Sequence, residues 1–194
     1  MAARKAARRA LFLTSAIRLF SRYGYYETTV PMIVAKARSS TGAFYMYFRN
    51  KEDICAAVLE DVGTRLAAGL NEAIASEAAP DRQMAAAVEA FVKWLAENPA
   101  EAGILREAAV LGGRLQEAQR AIIESHVRSV AAAMARAAPW IEAGERAIVS
   151  RCWVGAAIEA TMGWLRTPPG QRPAAKRVAE AVRRFNLQGV GIKE

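Results

Sequence analysis

Apolar residues recur every three to four positions along most of the chain, and no run alternates with the period of two that a half-buried strand requires. In the first such segment, about residues 4–23, Phe12, Ala16, Leu19, Phe20 and Tyr23 fall on one helical face. Gly24 follows, where a left-handed residue ends a helix. A short second helix is expected to start at Thr28 or Thr29, whose hydroxyls can cap it, and to end near Ala37. Pro31 is tolerated there, because first-turn N–H groups lack helical partners. Ser40 caps a third helix over residues 41–47. Asn50 caps a long fourth one, with Glu52 and Asp53 in its first turn and Ile54, Val58, Leu66, Leu70 and Ile74 along its inner side. Further helices are expected at about 81–97, 99–111, 114–138, 141–166 and 173–187. Pro80, Pro99, Gly112-Gly113, Pro139 and Pro168-Pro169-Gly170 punctuate them. The pattern describes an all-α chain of about nine helices, with no internal repeat.

Composition narrows the class. With 53% hydrophobic and 24% charged residues among 194, the chain is globular rather than disordered. Cys55 and Cys152 form no C-x-x-C pair, which excludes a disulfide scaffold and a cysteine zinc ribbon. His126 is the single histidine, so a multi-histidine metal site is excluded too. The longest apolar stretch, 152–165, is interrupted by Glu159 and falls short of the ~20 residues of a membrane span. Leu11-Phe12-Leu13 runs directly into Thr14 and Ser15, so no signal core follows the basic start. The expectation is a soluble cytoplasmic protein with no metal and no cofactor. A G-x-S-x-G elbow, a Walker loop and an H-E-x-x-H pair are all missing from the sequence, and no catalytic residue is assigned.

Charge is unevenly placed. The net charge is +8, yet residues 1–51 hold ten basic residues and one acidic one, Glu27, while the remainder sums to −1. A polyanion-binding head on a balanced body fits this asymmetry, and so does a solvated basic arm. Two short helices joined by a tight turn inside that segment match the physical description of a helix-turn-helix, whose second helix enters the major groove.

The string from Phe12 to Ile54 resembles the N-terminal domain of TetR-family transcriptional regulators. Ala16, Leu19-Phe20, Gly24-Tyr25, Thr28-Thr29-Val30, Ile33, Ala37, Ser40, Gly42, Phe44-Tyr45, Tyr47-Phe48 and Lys51-Glu52 carry the resemblance. It implies an N-terminal three-helix DNA-binding domain, residues 1–50, and a larger helical effector-binding and dimerisation domain, residues 51–194. Thr29 would offer its hydroxyl and nearby N–H groups to a phosphate. Ser40, Thr41 and Ala43 would face the groove, with Gly42 permitting close backbone approach. Tyr45 and Tyr47 would reach phosphates or a base edge, although both also suit half-buried core aromatics. Lys51 would hold another phosphate, and Arg4, Lys5 and Arg8 would trail along the DNA backbone. The chain departs from the family at the turn, where Val34, Arg38 and Ser39 replace a tight glycine-containing corner. A non-glycine residue in a left-handed turn costs on the order of 1–2 kcal/mol, which Arg38 can offset with a phosphate contact.

The resemblance also implies a homodimer reading a palindromic operator on double-stranded DNA, and a small-molecule effector. The helix over 141–166 mixes Gly155, Ala156, Ala157, Ala160 and Gly163 with Val149, Trp153 and Trp164, and the last helix offers Val178, Val182 and Phe185. Both stripes fit a dimer interface or an ordinary core. Pocket candidates are Phe91, Trp94, Leu95, Leu105, Met134, Trp153 and Met162, with Arg106, His126 and Glu159 as polar anchors. Such a pocket suits a lipophilic or aromatic effector, and repression is the family default. The rival classes are a small helical enzyme or binding protein that leaves DNA alone, and a basic helix lying on anionic lipid.

Overall fold

The computed structural model describes residues 2–192, which form nine α-helices and no strand. They are α1 (Ala2–Glu27), α2 (Val30–Lys36), α3 (Thr41–Tyr45), α4 (Lys51–Ala75), α5 (Pro80–Glu97), α6 (Pro99–Leu111), α7 (Gly113–Ala137), α8 (Ala143–Arg166) and α9 (Ala175–Gly189). The all-α expectation therefore holds element for element, with boundaries displaced by a few residues. The largest displacement that matters is in α3. It closes at Tyr45, two residues early, because the N–H of Tyr47 turns back to the Phe44 carbonyl at 2.9 Å in a three-residue step.

Packing divides the chain into two compact units. One runs to Gly63 and takes in Ala100–Arg120; the other comprises Thr64–Pro99 and the chain from Ala121 onward. This grouping differs from a single cut after residue 50: the front of α4, nearly all of α6 and the start of α7 belong with the first three helices.

In the first unit, Phe12, Ala16, Leu19 and Phe20 of α1 are buried with Ile33, Phe44 and Phe48. Phe12 stands edge-on to Phe44 at 5.6 Å and to Phe48 at 6.3 Å, so three aromatic rings lock α1 to α3. Inside α1, Gly24 has φ +77° and ψ 173°, which ends the regular helix at the expected stop. The break strands the N–H of Tyr25, which donates instead to Glu107 Oε1 of α6 at 2.8 Å. The hydroxyl of Thr28, itself fully buried, closes the turn by donating to the Gly24 carbonyl at 2.7 Å.

In the second unit, α5 packs on α8 and α9, and α8 on α9. Met84 and Val88 of α5, Val127 and Met134 of α7, Trp153, Val154 and Ala157 of α8, and Val182 and Leu187 of α9 make one core. Trp153 and Val182, expected in either a dimer stripe or a core, therefore lie in the core. Asn186, buried among these residues, donates its side-chain N–H to the Trp153 carbonyl at 3.2 Å and ties α9 to α8.

Candidate nucleic-acid interface

The interface candidates cluster in the first unit around the corner between α2 and α3. Thr29 caps α2 from an extended conformation, accepting from the Met32 N–H at 3.4 Å, and its O–H remains available as a donor. Helix α2 then closes in a two-bond left-handed stop. The N–H of Ser39 reaches the Val34 carbonyl at 3.1 Å, the N–H of Arg38 reaches the Ala35 carbonyl at 3.1 Å, and Arg38 sits at φ +47°. Ser40 follows as the cap of α3, accepting from the Ala43 N–H at 3.1 Å.

Arg38 is the one non-glycine residue at positive φ among the described residues, and its side chain is exposed. The left-handed geometry costs on the order of 1–2 kcal/mol in a non-glycine residue, and the greater chain entropy of glycine takes back up to ~1 kcal/mol of that. Arg38→Gly is therefore expected to stabilise the fold by about 0.5–1 kcal/mol in urea unfolding while DNA affinity stays equal or weakens. A clear gain in affinity would show that the arginine is only a steric burden.

Around this corner Thr29, Arg38, Ser40, Thr41, Gly42 and Tyr45 are exposed, and Ala43 is half-buried. Tyr45 is 56% exposed, with its ring against the edge of buried Phe44. Tyr47 is half-buried, and its ring packs at 5.9 Å from Phe12, so it combines a core role with a partly open one. Met46, which the sequence did not single out, lies between them and is 77% exposed. Only its position just past the end of so short a helix could have signalled this.

Lys51, expected at a phosphate, is engaged within the unit as well. Its ammonium donates to the carbonyls of Tyr25 at 2.7 Å and Tyr26 at 3.1 Å, and stands 4.3 Å from the centre of the Tyr25 ring. The carbonyls freed by the break at Gly24 form a negative helix end, which draws the cation inward. Two of its three donors are thus engaged within the unit, and Lys51 first of all pins the start of α4 to the end of α1.

The start of α4 is fixed again by Asn50, whose Oδ1 accepts from the Asp53 N–H at 2.8 Å. Asp53 in turn accepts from the Arg49 N–H at 3.0 Å and from the Arg114 guanidinium of α7 at 2.7 Å. The backbone bond from Arg49 and the hydrogen bond from Arg114 hold its carboxyl down at about 2, against an ordinary 3.8. A depressed carboxylate stabilises the fold above its unfolded value and loses that contribution as it becomes protonated. Wild-type stability is therefore expected to fall between about pH 4 and pH 2, and Asp53→Asn should flatten that part of the pH–stability curve. Denaturant midpoints measured at half-unit pH steps will check this. Nearby Cys55 is buried, and burial pushes its thiol up to about 12, which leaves it a packing residue without thiolate chemistry.

The effector candidates are not brought together. Leu105 and Arg106 belong to the first unit: Leu105 is buried, while Arg106 is exposed and lines a cleft of about 530 Å³ with Phe20, Ser21, Gly24, Gly103, Glu107 and Val110. Glu159 stands on the surface with its side chain 74% exposed and bonds Arg166 at 2.6 Å, because it projects from the side of α8 opposite Trp153 and Ala157. Phe91, Trp94, Leu95, His126, Met134, Trp153 and Met162 all fall in the second unit. Met134, Leu95 and Trp153 are buried there, and Phe91 is half-buried against the same core.

An all-helical chain with a capped helix-turn-helix in its most cationic segment belongs to the class of helix-turn-helix proteins with a helical body. Residues 12–58 match the family model of bacterial regulatory proteins, tetR family. Over 55 residues the chain is 44% identical to the HTH-type transcriptional regulator HbdR of Aromatoleum sp. (strain CIB), a stretch that is 28% of this chain and 24% of that protein. The fold extends further than the sequence match. A TetR-like transcriptional regulator from Rhodococcus sp. RHA1 superposes with a TM-score of 0.77 at 21% identity, covering 97% of this chain and 98% of that one. The transcriptional regulator FadR of Bacillus subtilis, solved in complex with stearoyl-CoA, does so with a TM-score of 0.81 at 18% identity, covering 93% and 98%. The match to the tetR family is thus carried by residues 12–58, the N-terminal helix-turn-helix segment, while the rest of the chain shares the fold of the structures named.

Proposed function

We propose that the protein is a cytoplasmic DNA-binding transcriptional regulator, a repressor that sits as a homodimer on a palindromic operator until a small lipophilic or aromatic effector releases it. Residues 1–50 supply the DNA-reading part and residues 51–194 the effector and dimer functions. The observation that carries this reading is the corner itself. A hydrogen-bonded stop at Arg38 and a cap at Ser40 hold a short helix whose Ser40, Thr41, Gly42 and Tyr45 are exposed, in a segment of net charge +9. Hydroxyls and a bare backbone suit close contact with base edges, while Thr29, Arg38 and the tyrosine hydroxyls suit phosphates. Ala43, Tyr47 and the remaining donor of Lys51 complete the proposed contact set.

Dimerisation is supported by a line of exposed residues on α8, Ile148, Cys152 and Gly155 at four- and three-residue steps, and by Phe185 on α9. Ile148 and Phe185 are 66% and 68% exposed, large apolar surface for a protein to leave in water. Among the effector candidates, His126 has the most telling chemistry. Its Nδ1 donates to the Ile122 carbonyl at 2.7 Å, and its Nε2 is buried and without a partner among the described residues. Together with Phe91, Trp94, Met134, Trp153 and Met162, it suits an apolar effector carrying one hydrogen-bonding group. Stearoyl-CoA on the FadR fold relative is one example of a lipophilic effector class.

Selection of bound sequences from random duplex DNA tests the reading. A two-fold-related site should emerge at about 100 mM salt with steep salt dependence; recovery of no such site would refute it. Calorimetric titration of the operator complex with small aromatic and acyl compounds tests the effector. An effector should weaken the complex at least about tenfold, a coupling of about 1.4 kcal/mol.

A further inference from the structure

Helices α1 and α6 of the first unit meet over an open cleft of about 530 Å³. Phe20, itself buried, lines its apolar side, and Gly24 of α1 and Gly103 of α6 leave both walls bare. A Cβ placed on Gly103 would meet nothing within 4 Å, so the two helices do not close on each other there. Arg106, Glu107 and Val110 follow Gly103 at three, four and seven residues, and such spacings put them on one face of α6.

The fold leaves most of the polar capacity of this face unused. Arg106 is exposed, and its guanidinium has no hydrogen-bond or ionic partner among the described residues. Glu107 engages the Tyr25 N–H through Oε1 at 2.8 Å, while its Oε2 has no hydrogen-bond partner among the same residues. Val110 is 82% exposed, although Ile104, Leu105 and Ala108 of the same helix are buried. An apolar hollow with a few convergent polar groups has the make-up of a small-molecule site, and the volume falls within the usual range of roughly 300–1,000 Å³.

The chemistry of the two charges specifies the occupant. A guanidinium holds a carboxylate through two parallel hydrogen bonds, and a free carboxylate oxygen accepts from an ammonium. Here one group of each kind stands on a single turn of α6, beside a hollow that takes an apolar side chain. We infer that the cleft binds a small zwitterion, an α-amino acid with an apolar side chain. Its carboxylate sits on Arg106, its ammonium on Glu107 Oε2, and its side chain lies between Phe20 and Val110. This site belongs to the first unit and is separate from the effector pocket proposed in the second. An occupant ties α6 to the break in α1, from which the Thr28 hydroxyl steers the chain into α2. Occupancy therefore tunes DNA affinity, a consequence that rests on the DNA-binding reading above.

The test titrates the full chain with free L-leucine and follows backbone amides by NMR. Saturable shifts are expected at Gly24, Tyr25 and Gly103, with a dissociation constant of about 1 mM or tighter. Isocaproate lacks the ammonium and isoamylamine lacks the carboxylate, so each should bind at least about fivefold weaker. Arg106→Gln should remove the advantage of leucine over isoamylamine, and Glu107→Gln its advantage over isocaproate. The glutamine at 107 keeps a carbonyl acceptor for the Tyr25 N–H, so the joint itself survives. Gly103→Leu fills the hollow with a better helix former and should abolish the shifts while the fold is kept. Leucine should also change affinity for the selected operator at least about threefold in wild type and not at all in Gly103→Leu. Absence of shifts at these amides up to about 20 mM leucine overturns the inference. So does a response that persists in Gly103→Leu, or one confined to amides around His126, which would assign leucine to the second unit. Isocaproate binding as tightly as leucine would make the ligand a plain hydrophobic anion and refute the zwitterion. Saturable binding with unchanged operator affinity overturns the regulatory role. The binding measurements need no DNA, so they are decided even if the regulator reading fails.

Discussion

Phe44→Ala is expected to unfold the DNA-reading corner and abolish operator binding. Phe44 is fully buried and its ring meets three others: Phe12 at 5.6 Å, Tyr45 at 5.4 Å and Phe48 at 5.5 Å. Truncating a core phenylalanine costs about 3–5 kcal/mol, partly for the apolar burial removed and partly for the cavity left. That is a large part of the roughly 5–15 kcal/mol that holds a typical domain. The consequence for function is sharper, because α3 is only five residues long and has no stability of its own. Its orientation is inherited from the Phe12, Phe44 and Phe48 rings. Urea unfolding should show the stability loss, and fluorescence anisotropy on the selected duplex should show at least about a hundredfold loss of affinity, the equivalent of about 2.7 kcal/mol. Phe44→Leu, which refills most of the volume, should recover more than half of the stability. A Phe44→Ala protein with wild-type affinity would mean that α3 is held by something other than these rings.

The second large effect is expected at Gly24. Its φ of +77° with ψ of 173° lies in a region open almost only to glycine, where any side chain costs about 1–3 kcal/mol. The space is occupied as well: a Cβ there would stand 3.2 Å from Glu107 Oε1, the oxygen that accepts the Tyr25 N–H. Gly24→Ala must therefore strain the backbone and push away the carboxylate that satisfies the broken helix, so a total loss of about 2–4 kcal/mol is expected. Glu107→Ala alone leaves the Tyr25 N–H without its partner and should cost about 1–3 kcal/mol. Because both changes remove the same hydrogen bond, their combination should cost less than the sum by about 1 kcal/mol in a double-mutant cycle. Strict additivity would show that the glycine and the carboxylate act independently. DNA affinity should fall with Gly24→Ala too, since the Thr28 hydroxyl steers the chain into α2 by donating to the Gly24 carbonyl.

The two positions differ in how far the sequence revealed them. Gly24 was legible as a helix stop, because a glycine after an apolar stripe has few other readings. Its neighbour Glu107 was not, since 82 residues separate it from Tyr25 and nothing local marks a carboxylate as the partner of a distant N–H. Arg38 was legible as a strained corner, and its positive φ agrees. Lys51 shows the opposite case: a lysine at a helix start in a basic segment suggests a phosphate, yet the nearest negative pole is the end of α1. The effector candidates were least legible. An apolar stripe on a helix does not say which apolar neighbour it meets, so Leu105 and Trp153 read alike although they belong to different compact units.

By itself, then, the sequence determined the helices, their caps and stops, the cationic front and the helix-turn-helix. All of these depend on residues within a few positions of one another, where spacing alone sets geometry. Tertiary structure decided what each polar group does with its charge: Lys51 and Glu107 on the broken end of α1, Asp53 on Arg114, Glu159 on Arg166 at the surface. Those pairings close over long or irregular separations in the chain, and the physical reason is that an ion takes the partner the fold brings within hydrogen-bond reach, which periodicity cannot supply.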